Sequence, residues 1–172
     1  PAGQYSVYDG RMPDLEAMAQ SVAFCREIRA AVGDRADMLF GTHGQFTAAG
    51  ALRLARQLEP FDPLWFEEPC PPDMPEEMAK VAAGTSIPVA TGERLCSKFE
   101  FARVLALGAA AILQPDLGRA GGILEGKKIA AMAETRYVQV APHLYCGPVA
   151  AAANIQLATC IPNFLILESI GK

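Results

Sequence analysis

Two histidines and four carboxylates stand at near-regular intervals along this chain of 172 residues: His43, Glu67, Glu93, Asp116, His143 and Glu168. The gaps between them are 24, 26, 23, 27 and 25 positions, and the chain holds no other histidine. Imidazoles and carboxylates are the side chains that move protons near neutral pH and that ligate hard cations. A repeat of about 25 residues is the length of one strand-plus-helix unit. The spacing therefore predicts that each of the six ends a strand, and that all share the C-terminal rim of a parallel α/β sheet, where such folds place their chemistry.

The elements between these residues read accordingly. Asp14 to Val32 carries Leu15, Met18, Val22, Cys25, Ile28 and Val32 at helical spacing, with Gly33 as its C-cap. "DMLFGTHG" reads as a strand opening into a loop, and Thr47 caps a helix that stops at Pro60. "LWFEEP" is the next strand, followed by a helix from Pro75 to Ala83, and "IPVATGER" is the third strand. Ser97 and Glu100 form a capping box for a helix ending at Gly108. "AAILQPD" is a fourth strand before a helix from Ile123 to Thr135, and "VQVAPH" a fifth before a helix from Val149 to Thr159. "FLILE" is the sixth. Alternation of this kind predicts a parallel sheet, and the even spacing favours a barrel over a doubly wound sheet.

Composition narrows the function classes. The chain is 51% hydrophobic and 20% charged, with a net charge of −4, which opposes a nucleic-acid partner because phosphate binding wants a basic face. No apolar run reaches the roughly 18 residues of a membrane span, and no signal peptide is visible at the start. The five cysteines, Cys25, Cys70, Cys96, Cys146 and Cys160, include no C-x-x-C pair and read as reduced thiols of a cytoplasmic protein. Cys70 and Cys146 follow strand ends, which leaves a nucleophilic role as an alternative reading.

The rim residues and their surroundings resemble the enolase superfamily, and within it the mandelate racemase subgroup, nearest to acid-sugar dehydratases of the galactonate dehydratase type. The resemblance rests on "WFEEP" with Glu67, "VATGER" with Glu93, "LQPDLGRAGG" with Asp116, "VAPHLY" with His143 and "LILES" with Glu168. It implies a partial TIM-type (β/α)7β barrel: strands three to eight of the family barrel, with the capping domain and the first two strands absent. Complete barrels run to roughly 250 residues, so a single incomplete C-terminal barrel domain over 1–172 is expected. An isolated chain of this extent is expected to be inactive, or to need neighbouring sequence or a partner that covers the exposed sheet edges.

The resemblance also implies a reaction and a set of roles. The shared step removes the proton α to a carboxylate, giving an enediolate held by Mg²⁺, with Glu67 and Glu93 as metal ligands. His143 is the implied base, Asp116 the residue that fixes its tautomer, and Glu168 a hydrogen-bond partner of the substrate carboxylate. His43 matches the acid that protonates a departing β-hydroxyl, which makes dehydration of an acid sugar to a 2-keto-3-deoxy acid the preferred reaction. Arg94 and Tyr145 are read as substrate-binding, with neutralisation of the ring of glutamates as the equal alternative for Arg94. A homo-oligomer is expected for the full-length protein. Racemisation or epimerisation in the same superfamily is the alternative, as is a non-catalytic truncated barrel.

One position departs from the family pattern. Relatives place an aspartate ligand two residues before the position of His43, where this chain has Gly41, which leaves three readings: a metal held by Glu67, Glu93, water and substrate, one ligated by His43, or none usefully bound. Single residues also carry plainer readings. Asp116 equally reads as a cap for the next helix, Gly118, Gly121 and Gly122 as a phosphate cradle, Glu68 as a solvated or supporting neighbour of Glu67, and Tyr145 as a packing residue.

Overall fold

Helices in this chain begin and end where side chains or glycines satisfy their unpaired backbone groups. In the computed structural model, which describes residues 10–169, Asp14 accepts from the Ala17 amide at the start of α1 (Leu15–Val32), and Gly33 ends it. Thr47 accepts from the Gly50 amide at the start of α2 (Ala48–Leu58), and proline opens α3 (Pro75–Gly84). The Ser97–Glu100 capping box opens α4 (Lys98–Leu107), and Gly108 in the left-handed region closes it. Two further helices, α6 (Gly122–Glu134) and α7 (Pro148–Ala158), follow the expected pattern. The one-turn helix α5 (Leu117–Ala120) and the 3-10 turn at Glu59–Phe61 were not expected from the sequence.

The strands are shorter than the apolar runs that contain them. They are β1 (Leu39–Gly41), β2 (Trp65–Glu67), β3 (Val89–Thr91), β4 (Ile112–Leu113) and β5 (Gln139–Val140). The sixth expected strand, "FLILE", is reduced to a single parallel bridge between Phe164 and Val140. The Val140 amide donates to Asn163 O, and the Leu165 amide donates back to Val140 O. One bridge carries two ladder bonds, which is too little to register as a strand even though the segment runs in the expected direction.

The chain divides into two compact units, Pro1–Val89 and Ala90–Lys172. In the first, β1 and β2 pair in parallel with Leu39, Phe40 and Gly41 opposite Trp65, Phe66 and Glu67. Phe66 is fully buried, meets Phe40 edge-on at 5.3 Å, and shares a core that includes Leu54, Leu58, Met78 and Val81. The Arg29 guanidinium ties the end of α1 to the turn before β2 by donating to the carbonyls of Phe61, Asp62, Gly33 and Ala36. Glu59 accepts from the Ser86 amide and the Thr85 hydroxyl, which hold its carboxyl below the usual carboxylate range.

In the second unit, β4 pairs in parallel with both β3 and β5. The core there is built from Phe101, Leu113, Ile129, Val140 and Leu157. Gly126 lets α6 lie close to its neighbours, because a Cβ there would stand 2.6 Å from Leu117 and 3.2 Å from Leu157. Among the described residues no helix is long and apolar enough to cross a membrane.

Candidate active site

His143 follows β5 by three residues, and its amide donates to Pro115 O, which fixes it beside the end of β4. There Asp116 and His143 form a parallel bridge, and their side chains meet with Asp116 Oδ2 at 2.8 Å from His143 Nδ1. An ionised carboxylate only accepts hydrogen bonds, so Nδ1 carries the proton and donates it to Asp116. Nε2 then faces the remaining carboxylates, Glu93 Oε2 at 3.5 Å and Glu168 Oε2 at 3.7 Å. The Leu144 amide donates to that same Glu168 oxygen at 2.7 Å, which aims the Glu168 carboxylate at the imidazole. Four of the six rim residues are therefore brought together in the second unit.

Asp116 satisfies both of its sequence readings at once. While Oδ2 holds His143, Oδ1 accepts from the Gly118 amide at 2.7 Å and caps α5. That amide is consequently committed to Asp116, which weakens the phosphate-cradle reading of Gly118, Gly121 and Gly122. The carboxylate is 5% exposed and held at both oxygens, so its position is strongly fixed. Tyr145 is 71% exposed, and its ring lies nearly parallel to His143 with centroids 6.5 Å apart. It is not a core packing residue. Arg94 is half-buried, two residues before exposed Cys96.

In the first unit, Glu67 is the last residue of β2 and Gly41 its partner in register. Trp65, two residues earlier on the same face of the strand, donates its indole N–H to Glu67 Oε2 at 3.0 Å. The neighbouring Glu68 is fully buried, with φ at +36°, so of its two sequence readings, solvated or supporting Glu67, the solvated one does not hold. Its backbone turns away from the strand, which separates the two adjacent glutamates into different surroundings. His43 follows β1 by two residues, beyond buried Thr42. Neither the Trp65 bond nor the Thr42 contacts was read from the sequence. The i, i+2 pairing of a tryptophan and a glutamate on a strand was the only available signal for the first.

For the Mg²⁺ that the resemblance implies, the test is the chemistry of the donors. Glu67 and Glu93 each offer the hard carboxylate oxygen that this ion prefers, and Gly41 offers nothing. No group of three or more His, Cys, Asp or Glu side chains able to hold a metal occurs among the described residues. The donor type of each glutamate suits such a cation.

Cys70 does not fit a nucleophile. It is buried, and desolvation with the nearby Glu77 charge pushes its thiol up to about 11 from 9.0. A thiol whose pKa is higher folded than unfolded keeps its proton in the native state alone between those values. Its stabilising contribution is complete below pH 9.0 and is lost as pH rises towards 11. Wild type is therefore expected to lose stability across this window, by roughly 2 kcal/mol, relative to Cys70→Ala. Denaturant titrations of both proteins at pH 8 and pH 10.5 check this, and parallel pH dependences would refute it.

The family described as "Enolase C-terminal domain-like" matches residues 8–172. D-galactonate dehydratase of Ralstonia nicotianae is 47% identical over 148 residues, covering 86% of this chain and 39% of that protein. The mandelate racemase/muconate lactonizing enzyme-like protein from Roseovarius sp. TM1035 superposes with a TM-score of 0.96 at 63% identity, over 100% of this chain and 43% of that one. An enolase from Agrobacterium radiobacter, solved with sodium and L-malate in an ordered active site, matches at a TM-score of 0.88 and 34% identity, over 98% and 42%. The chain spans about two fifths of the length of these relatives. Its strand–helix order, its rim residues and these matches agree, and the chain belongs to the enolase superfamily as part of the C-terminal barrel domain of the mandelate racemase/muconate lactonizing enzyme type.

Proposed function

We propose that the protein is an acid-sugar dehydratase, a lyase that converts a sugar acid to a 2-keto-3-deoxy acid. The observation that carries the reading is the His143–Asp116 pair, with Nδ1 committed to Asp116 and Nε2 directed towards Glu93 and Glu168. Identity of 47% with a D-galactonate dehydratase supports the substrate class. In this reading His143 Nε2 takes the proton from the carbon α to the substrate carboxylate. The β-hydroxyl then leaves with a proton from His43 as water, and the resulting enol tautomerises to the ketone. Water and the keto acid together hold all the atoms of the substrate.

Asp116 keeps the imidazole in the tautomer that can accept at Nε2, and carries the charge balance as the ring becomes positive. Glu168 is proposed to contact the substrate carboxylate, and Tyr145 and Arg94 to bind the sugar. The ligand roles proposed for Glu67 and Glu93, and the acid role of His43, are carried by the family resemblance. A bound Mg²⁺ supplies Lewis-acid stabilisation of negative charge on the substrate carboxylate. A homo-oligomeric assembly of the full-length protein belongs to the same proposal.

The test is incubation of the full-length protein that contains this chain with a panel of sugar acids, D-galactonate first, in deuterated water. A 2-keto-3-deoxy acid detected by mass spectrometry is the expected result. Deuterium entering the α-position with no keto acid formed would instead indicate racemisation or epimerisation, and neither signal from any substrate would sink the dehydratase reading.

A further inference from the structure

We infer that Thr42 is a positioning residue that locks His43 and Glu67 in register. For its kinetic consequence the inference rests on the dehydratase reading, and for its structural consequence on geometry alone. Thr42 lies between Gly41 and His43 and is 4% exposed. Its hydroxyl stands 2.7 Å from Glu67 O and 2.9 Å from Glu68 O, and its amide donates to Glu67 O at 3.1 Å. A single hydroxyl proton is thus shared between two consecutive carbonyls, as in a three-centre bond. The Gly44 amide donates to Glu68 O at 2.7 Å, completing a clasp that continues past the end of the β1–β2 ladder.

The clasp holds an unfavourable conformation. Glu68 has φ +36°, in a region that L-residues with long side chains rarely adopt, and that turn is what sends Glu68 into the interior while Glu67 stays at the strand end. A hydroxyl reaching both carbonyls fixes the turn from the opposite strand. The residue after it is His43 and the residue whose carbonyl it holds is Glu67, so one side chain sets the separation of the two. Valine has the shape of threonine without the hydroxyl, and alanine removes the methyl as well.

The experiment compares Thr42→Val, Thr42→Ala and Thr42→Ser in the full-length protein that contains this chain, using D-galactonate as the probe substrate and imidazole resonances as a readout independent of turnover. Spectra of the His43→Asn and His143→Asn variants assign the two resonances. With the hydroxyl gone, the His43 resonance is expected to move and kcat to fall by about tenfold to a hundredfold, because small displacements of positioned groups have effects of that size. KM is expected to stay within about twofold, α-proton exchange with solvent to be spared, and Thr42→Ser to restore both readouts. Should Thr42→Val fail to fold, the alanine and serine pair still isolates the hydroxyl, since both lack the methyl. An unmoved His43 resonance in Thr42→Ala, or a serine variant that behaves as alanine does, would overturn the inference. If wild type turns over no sugar acid, the dehydratase reading fails while the His43 resonance still decides the role of Thr42.

Discussion

In the full-length protein, Asp116→Asn is expected to remove nearly all α-proton exchange, by about 10³- to 10⁴-fold, while leaving the fold intact. The reason lies in the double engagement of this side chain. The Gly118 amide can only donate, so the single oxygen of asparagine must remain at the α5 cap, where Asp116 Oδ1 now sits at 2.7 Å. The asparagine NH₂ is then forced against His143 Nδ1, in place of the Oδ2 that lies 2.8 Å away. An NH₂ group donates, so Nδ1 must become the acceptor and the proton moves to Nε2, the nitrogen that has to accept. The helix cap survives and the base does not. Nitrogen-15 spectra that distinguish histidine tautomers check the mechanism directly, beside exchange rates and melting temperatures. His143→Asn should abolish exchange outright, whereas His43→Asn should spare exchange and block loss of the hydroxyl. An Asp116→Asn variant with wild-type exchange would show that tautomer control is not what this pair does.

In the full-length protein, Gly41→Asp is expected to tighten Mg²⁺ binding by at least tenfold, and Mg²⁺ is expected to invert the stability order of variant and wild type. A Cβ built on Gly41 meets no atom within 4 Å, and the position has no left-handed φ, so an aspartate enters without strain. Gly41 is the register partner of Glu67 across the parallel β1–β2 pair, which places the new carboxylate beside the existing one. Two like charges directly opposite on neighbouring strands repel, so the metal-free variant should melt below wild type, by an amount corresponding to about 0.5–1 kcal/mol. A cation that binds between them offsets that repulsion and stabilises the native state by mass action. Thermal melts over a Mg²⁺ titration should therefore cross, with the variant less stable at zero metal and more stable at millimolar metal. Calorimetry measures the affinity itself. Curves that run parallel throughout would mean that the end of β1 is not at the metal.

How far the sequence alone reaches is visible in particular residues. The period of about 25 placed His43, Glu67, Glu93, Asp116 and His143 at or within three residues of strand ends, because a strand and a helix of ordinary length use up that many residues each time, whereas Glu168 follows only the single bridge at Phe164. Thr47, Gly33, Gly108 and the Ser97–Glu100 box were legible for a similar reason: a cap is a contact between residues three or four apart, and its partners are adjacent in the chain. The reduction of "FLILE" to one bridge was not legible, since an apolar run looks the same whether its neighbour offers two ladder bonds or six.

The allocation of individual oxygens and protons was decided by the tertiary structure. Asp116 looked like either a helix cap or a histidine partner, and only the bridge between residues 116 and 143 showed that its two oxygens serve both. Glu67 and Glu68 are chemically identical in the sequence, yet one ends a strand beside Trp65 and the other is wholly buried through a left-handed turn. Thr42 carried no motif at all until the carbonyls of Glu67 and Glu68 came within reach of its hydroxyl. Local patterns determine which residues arrive at the rim. Hydrogen bonds between groups some 25 residues apart, fixed by strand register to tenths of an ångström, determine what each of them can do there.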